Sequence, residues 1–211
     1  SSITGPDAQA ILSGPLDQLI AGTAPPEIQL DIIEAVEKQN IPALNQKLES
    51  YYKSKDSSDV VNFYLEALNG GNPRSGEFIF YNHEGAQCIR CHAVFEVGGN
   101  VGPGLAGIAD RLTRKQLLES LVDPERRIAP GYGNISVTTK DGNKVSGILM
   151  EETETEVKIK TGGDQIKAIS KGDIQERQHM PSGMPDMSSF LSKGEIRDLV
   201  AFLSQLKNDP N

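Results

Sequence analysis

The sequence is short of cysteine. Cys88 and Cys91 are the two it has in 211 residues, and both fall within one five-residue stretch, so no thiol is left for a structural disulfide elsewhere. Histidine is scarce as well, with His83, His92 and His179 in the whole chain. Apolar runs are short, and none approaches the length of a bilayer span, so no transmembrane segment is expected. Positive charge is concentrated nowhere. The net charge of −8 arises mainly in residues 1–72, with ten acids and four bases, whereas residues 73–132 carry seven of each. Without a basic face, nucleic-acid binding is not expected. The acidic stretch reads as a solvated helical surface rather than a docking site. With 37% apolar and 24% charged residues, the composition is that of a soluble globular protein able to bury more than one small core.

The chemistry is concentrated in Cys88-Ile89-Arg90-Cys91-His92. A C-x-x-C-H run reads as a site of covalent c-type haem attachment. Two thiols one helical turn apart can form thioethers to the two vinyl groups of one porphyrin, and His92 can then give an imidazole nitrogen to the iron. Two other readings exist. A redox dithiol lacks its usual setting, a strand running into the motif within a βαβ unit. A zinc site lacks a second cysteine pair.

Around the motif the chain changes character several times. Residues 8–21 read as a short helix interrupted near Gly14-Pro15. Residues 26–39, with Ile28, Leu30, Ile32, Ile33 and Val36, and residues 42–54, with Leu44, Leu48 and Tyr51, show helical spacing. A fourth helix is expected over 58–68, carrying Val60, Val61, Tyr64, Leu65 and Leu68. Together these suggest a helical, repeat-like scaffold. Asn69-Gly70-Gly71-Asn72-Pro73 breaks it, and a helix from Arg74 to about Asn82 delivers the chain to Cys88. Gly98-Gly99-Asn100-Val101-Gly102-Pro103 is a loop that must pass close to something flat. A helix follows over 113–122, with Leu117, Leu118 and Leu121 on one face. From Gly131 the period becomes two: Ile135, Val137 and Thr139; a hairpin at Lys140-Asp141-Gly142-Asn143; Val145, Gly147 and Leu149; Val157, Ile159 and Thr161; a turn at Gly162-Gly163-Asp164; Ile166, Ala168 and Ser170. Four strands in a meander make a small β module, an open meander or a barrel, with His179 just past its exit. Glu151, Glu152, Glu154 and Glu156 read as a solvated turn. The loop holding Met180, Met184-Pro185 and Met187 leads to a last helix that Ser192 and Glu195 open with a capping-box pattern. A low-spin electron-transfer haem takes a sixth ligand, and a methionine thioether raises its potential.

Residues 73–132 with 179–207 resemble a class I cytochrome c. Gly76 and Phe80 match the family's first-helix pair, Gly102-Pro103-x-Leu105-x-Gly107 its G-P-x-L-x-G loop, and Phe202 the aromatic of its last helix. The resemblance implies that the Pro103 carbonyl accepts a hydrogen bond from His92. It also implies that Met184 is the sixth ligand, with Met187 and then Met180 as alternatives, and that Leu105, Ile108, Leu117, Leu121 and Phe190 surround one covalent haem c. Nearly the whole chain is similar to the C-terminal haem-binding region of large secreted proteins of Planctomycetes, Verrucomicrobia and Bacteroidetes, through GAQCIRCH, VGPGLAGI, LLESLVDP and EIRDLVAFL. The expectations are these. The fold is mainly α with a β insert: a helical scaffold over 1–70, a cytochrome c domain over 71–132 and 179–211, and the insert over 133–178. The chain carries single electrons between a fused or partner dehydrogenase and a downstream acceptor, and is not itself a catalyst. A haem sensor or peroxidase-like module with a displaceable sixth ligand, which His179 can supply, is the rival; a module whose β insert binds a partner or polysaccharide is another. Ser1 opens the chain with no leader, and haem attachment occurs outside the bacterial cytoplasm, so a periplasmic or otherwise extracytoplasmic fragment of a longer protein is expected.

Overall fold

The computed structural model describes residues 6–162 and 165–208. The architecture is mixed, with helices, a two-stranded sheet and a five-stranded antiparallel sheet. The chain divides into two compact units: Ser1–Ile89, Leu105–Asp123 and Asp186–Asn211 form one, and Arg90–Gly104 with Pro124–Pro185 the other.

In the helical unit, α1 (Pro6–Ile20), α2 (Gln29–Gln39) and α3 (Pro42–Lys53) close on a core of Leu16, Leu19, Ile32, Ile33, Val36, Leu44 and Leu48. The expected interruption of α1 is absent, because Pro15 lies inside the helix. Pro15 offers no N–H to the carbonyl of Ile11, but Ile11 is on the exposed side, while Leu16 is wholly buried and holds the turn down. Ile28, expected on the α2 stripe, belongs to a preceding 3-10 turn and is exposed. Asn40 ends α2 in the left-handed region (φ 50°), which asparagine tolerates better than most residues.

The fourth helix is a 3-10 helix, Val60–Ala67, not the α-helix that the spacing suggests. In 3-10 geometry residues three apart eclipse, so Val61 and Ala67 are buried while Val60 and Leu65 are exposed. Its Glu66 is a buried carboxylate, 2% exposed, that receives the Lys55 ammonium and the Tyr51 hydroxyl on one oxygen. Burial and that carboxylate push the Tyr51 phenol well above its ordinary range.

Helices α4 (Pro73–Asn82), α5 (Cys88–Cys91), α6 (Ile108–Arg111), α7 (Arg114–Val122) and α8 (Lys193–Leu203) complete the set. Both capping boxes are formed, Thr113 with Gln116 and Ser192 with Glu195. Gly76 lets α4 approach α8 so closely that a Cβ there would stand 2.0 Å from the Asp198 carbonyl oxygen. Phe80 packs on Phe202 with ring centroids 5.8 Å apart. Arg114 fastens the Gly70 turn, with its guanidinium donating to the Leu68 and Gly70 carbonyls at 2.8 and 3.1 Å and to Ser204 Oγ at 2.9 Å.

The second unit holds β1 (Ala93–Val94) paired with β2 (Val97–Gly98), and the larger sheet: β3 (Gly133–Thr139), β4 (Lys144–Glu152), β5 (Glu156–Lys160), β6 (Ile166–Ser170) and β7 (Ile174–His179). The order is β6-β5-β4-β3-β7, so β6 and β7 are free edges and the sheet is open, not a barrel. The fifth strand, β7, has a single apolar residue among Ile174-Gln-Glu-Arg-Gln-His179 and therefore no visible alternation. His179 is its last residue, opposite Ile135, rather than beyond the exit. The parity of β6 is also opposite to expectation: Ile169 is buried opposite Val157, and Ile166, Ala168 and Ser170 face outward. In the turn expected at Gly162-Gly163-Asp164, Gly163 and Asp164 lie outside the described residues.

Glu151 and Glu152 sit on β4, not in a turn. Glu152 takes a two-pronged pair from Arg177 at 2.8 Å to each oxygen, with Lys171 at 2.8 Å, and Glu151 pairs with Lys158 at 2.8 Å. The Arg177 fork, then Lys171, holds the Glu152 carboxyl down to about 2 from an ordinary 4.5. A carboxyl depressed on folding contributes stability that is complete above its ordinary pKa and is lost as pH falls through the depressed one. Comparing acid unfolding of the wild type with Glu152→Gln should show the two curves converging between pH 4.5 and about 2, the variant being less stable above that window. Curves that run parallel through the window would mean the fork contributes nothing.

Candidate haem site

Helix α4 ends at His83, a tight turn over 84–87 follows, and α5 begins at Cys88. One turn of helix carries both cysteines, with Cys88 half-buried and Cys91 exposed and no disulfide between them. Neither thiol is committed to a disulfide, and both leave the same helix three residues apart, the spacing a planar ring with two attachment points requires.

His92 is fixed by the loop that follows. Its Nδ1 lies 2.8 Å from the carbonyl oxygen of Pro103. A carbonyl only accepts, so the ring proton sits on Nδ1 and is donated to Pro103, leaving Nε2 with a bare lone pair. The backbone N–H of Gly102 donates to the Cys91 carbonyl at 2.7 Å, bringing the loop across the ring. A Cβ on Gly102 would stand 2.5 Å from His92 Cε1 and 2.8 Å from Nδ1. The flat object that the glycine loop must pass is thus the imidazole itself. Gly98 and Gly99 complete the wrap, where a Cβ would meet the His92 and Arg90 carbonyl oxygens at 2.2 and 2.0 Å. The turn between β1 and β2 places Phe95 in the left-handed region at φ 54°, with its ring largely exposed.

The expected ligand residues are distributed unevenly. His92, Gly102 and Pro103 are brought together in one unit, which also contains Met180 and Met184; Cys88, Leu105 and Met187 belong to the other. Met180 follows β7, with its N–H on the Asn134 carbonyl at 2.9 Å and its residue 49% exposed. Met184 is half-buried, and its N–H donates to Ser182 Oγ at 3.1 Å. Met187 is 3% exposed and opens a 3-10 turn that Asp186 caps through Ser188 N at 2.8 Å. Of the expected apolar surround, Ile108, Leu117 and Leu121 are buried, Leu105 is half-buried and Phe190 is exposed.

One residue that sequence reasoning passed over stands beside the motif. His83 is half-buried, with its Nδ1 accepting from Gly85 and Ala86 N–H and its Nε2 near Glu195. Two of its partners, Gly85 and Ala86, are local, while Glu195 is brought to it by tertiary folding, and the sequence carried no signal for that pairing. Among the described residues, no group of three or more His, Cys, Asp or Glu side chains is placed to hold a metal ion, and no helix is long and apolar enough to cross a membrane. No family model matches the chain, and no curated protein matches it.

Proposed function

We propose that this chain is a mono-haem c-type cytochrome, related in fold to class I cytochromes c, that passes single electrons between a dehydrogenase and a downstream acceptor. The observation that carries the reading is the His92–Pro103 hydrogen bond of 2.8 Å, which fixes the imidazole with Nε2 free to ligate. Cys88 and Cys91, which form no disulfide, fit the same group, since each S–H adds across one vinyl double bond to give a thioether. When bound, haem supplies a one-electron Fe(III)/Fe(II) couple whose potential a methionine ligand raises. His92 holds its tautomer against Pro103, Gly102 keeps the face of the ring clear of side chains, and Met184 provides a thioether on a half-buried loop. Such a chain transfers electrons and performs no bond chemistry of its own. The packing of Gly76 and Phe80 against α8 supports the fold assignment.

Visible spectra of protein matured with haem test this. The expected result is a covalent low-spin c-type spectrum in both oxidation states, with CO and cyanide binding slowly. A high-spin spectrum with rapid CO binding would overturn the carrier reading in favour of a sensor or peroxidase-like site. Protein that emerges without covalent haem would overturn both.

A further inference from the structure

The turn that delivers Cys88 is organised by one side chain. His83 ends α4 with extended backbone (φ −69°, ψ 119°), and its ring folds back over the residues that follow. Nδ1 accepts from the N–H groups of Gly85 at 3.2 Å and Ala86 at 3.0 Å, and the His83 carbonyl accepts from Gln87 N–H at 3.0 Å. One residue thus takes three of the next four backbone donors. The last of them, Gln87, stands in the left-handed region (φ 47°), a conformation that non-glycine residues adopt only when their surroundings impose it. Gln87 Nε2 closes the turn from the other side by donating to the Glu84 carbonyl at 2.7 Å. Cys88 follows immediately and opens α5. Gly85 fits beneath the ring, where a Cβ would meet His83 Cε1 at 3.3 Å and Phe190 Cδ1 at 3.7 Å.

The far edge of the same ring faces α8. With Nδ1 accepting two N–H bonds, the proton of the neutral imidazole is on Nε2. Nε2 lies 3.6 Å from Glu195 Oε1, so the polar N–H of a neutral ring stands near the carboxylate, beyond the reach of a full hydrogen bond. The other oxygen of Glu195 accepts from Ser192 N–H and Ser192 Oγ, both at 2.8 Å, as the capping box of α8. The carboxylate is therefore divided between the first turn of α8 and His83.

We propose that His83 is a positioning residue for Cys88: Nδ1 closes the 83–87 turn and Nε2 holds that turn to the capping carboxylate of α8. In its consequence for haem attachment the proposal rests on the cytochrome reading. In its consequence for the thiol it does not.

Three substitutions separate the two edges of the ring. His83→Asn places an amide oxygen where Nδ1 stands and keeps the turn while giving up Glu195. His83→Gln can reach Glu195 but cannot serve the turn. His83→Ala does neither. Two readouts are taken on the full chain: the fraction of matured protein carrying both thioethers, by intact mass, and the alkylation rate of Cys88 relative to Cys91 in haem-free protein. Amide exchange at Gly85 and Ala86 reports the turn directly. Expected are exchange at least about tenfold faster and a several-fold lower double-thioether fraction in His83→Ala and His83→Gln, with a changed Cys88:Cys91 ratio. His83→Asn should recover most of all three. If exchange accelerates in His83→Ala while attachment and thiol ratio stay at wild-type values, the ring is structural packing and the proposal falls. Equal behaviour of the Asn and Gln variants would also overturn it. A wild type that takes up no haem, with the thiol ratio still following the Asn-over-Gln order, would sink the cytochrome reading and leave the positioning role standing.

Discussion

Replacing Gly76 by alanine should destabilise the chain by about 1–3 kcal/mol, although alanine is the better helix former. The helix-propensity gain is worth about 1 kcal/mol on its own, so the packing penalty has to exceed it. The reason is the wall that the new methyl would meet. A Cβ at Gly76 stands 2.0 Å from the Asp198 carbonyl oxygen and 2.8 Å from Phe202 Cβ. Backbone cannot swing aside as a side chain can, and α8 is pinned nearby. Asn72 N–H donates to Asp198 Oδ1 at 2.7 Å, Arg197 pairs with Asp31 at 2.6 Å, and Gly71 rests against the Arg197 carbonyl. Moving α8 outward would loosen these together with the Phe80–Phe202 contact. Gly194→Ala, in the first turn of the same helix, is the control. There a Cβ meets only Glu34 Oε1 at 2.8 Å, the far end of a flexible carboxylate, so the change should stay within about 1 kcal/mol. Urea midpoints with unchanged slopes measure both. A neutral Gly76→Ala would mean that α4 and α8 do not approach as closely as described.

The parts of the fold legible in the sequence are those where local chemistry and tertiary packing agree. α8 announces itself through Ser192 and Glu195 and through Ile196, Leu199, Val200 and Leu203, all buried as the spacing indicates. α4 and α7 are equally plain. Legibility fails where two local signals compete. In β6, Ile166 and Ile169 are an odd number apart, so period two can bury only one; pairing with Val157 selects Ile169. In VVNFYLEA either a 3-10 or an α periodicity can be traced, and burial of Glu66 with Lys55 and Tyr51 goes with the former. β7 carries too little apolar residue to show a period at all, and its partner β3 supplies the order. At the candidate site, Cys88, Cys91 and His92 stand out in the sequence because C-x-x-C-H is the spacing that covalent haem attachment would require. The Pro103 bond to His92 was legible only through family resemblance, and the geometry bears that contact out. His83 was not legible, because its meaning depends on Glu195, far along the chain, and on a turn whose form no residue pattern specifies.

The choice among three methionines yields the other large effect, and their surroundings separate them. Met187 is 3% exposed and locked in a capped turn, with Phe190 and Leu191 N–H groups on its carbonyl at 3.0 and 2.9 Å. Its side chain already serves a core, and truncating it should cost roughly 2–5 kcal/mol, as for other buried methionines. Met180 is anchored to the start of β3 through the Asn134 carbonyl and keeps about half of its surface in solvent, 49% exposed. Met184 is neither committed to a core nor fully exposed, and its N–H donates to Ser182 Oγ within its own loop, so its thioether can serve as a ligand without uncovering apolar surface. Two variants should therefore dissociate. Met184→Ala, matured with haem, should lose the weak red absorption of thioether bound to ferric iron and show a lower reduction potential. Its haem-free thermal stability should change little. Met187→Ala should keep the red band and the potential while its melting temperature falls. The reverse pattern, with the band lost in Met187→Ala and kept in Met184→Ala, would give Met187 the ligand role and require its present core to open when haem binds. A band kept in both would point to Met180, and a wild type with no such band would bring His179, exposed at the end of β7, forward as the ligand.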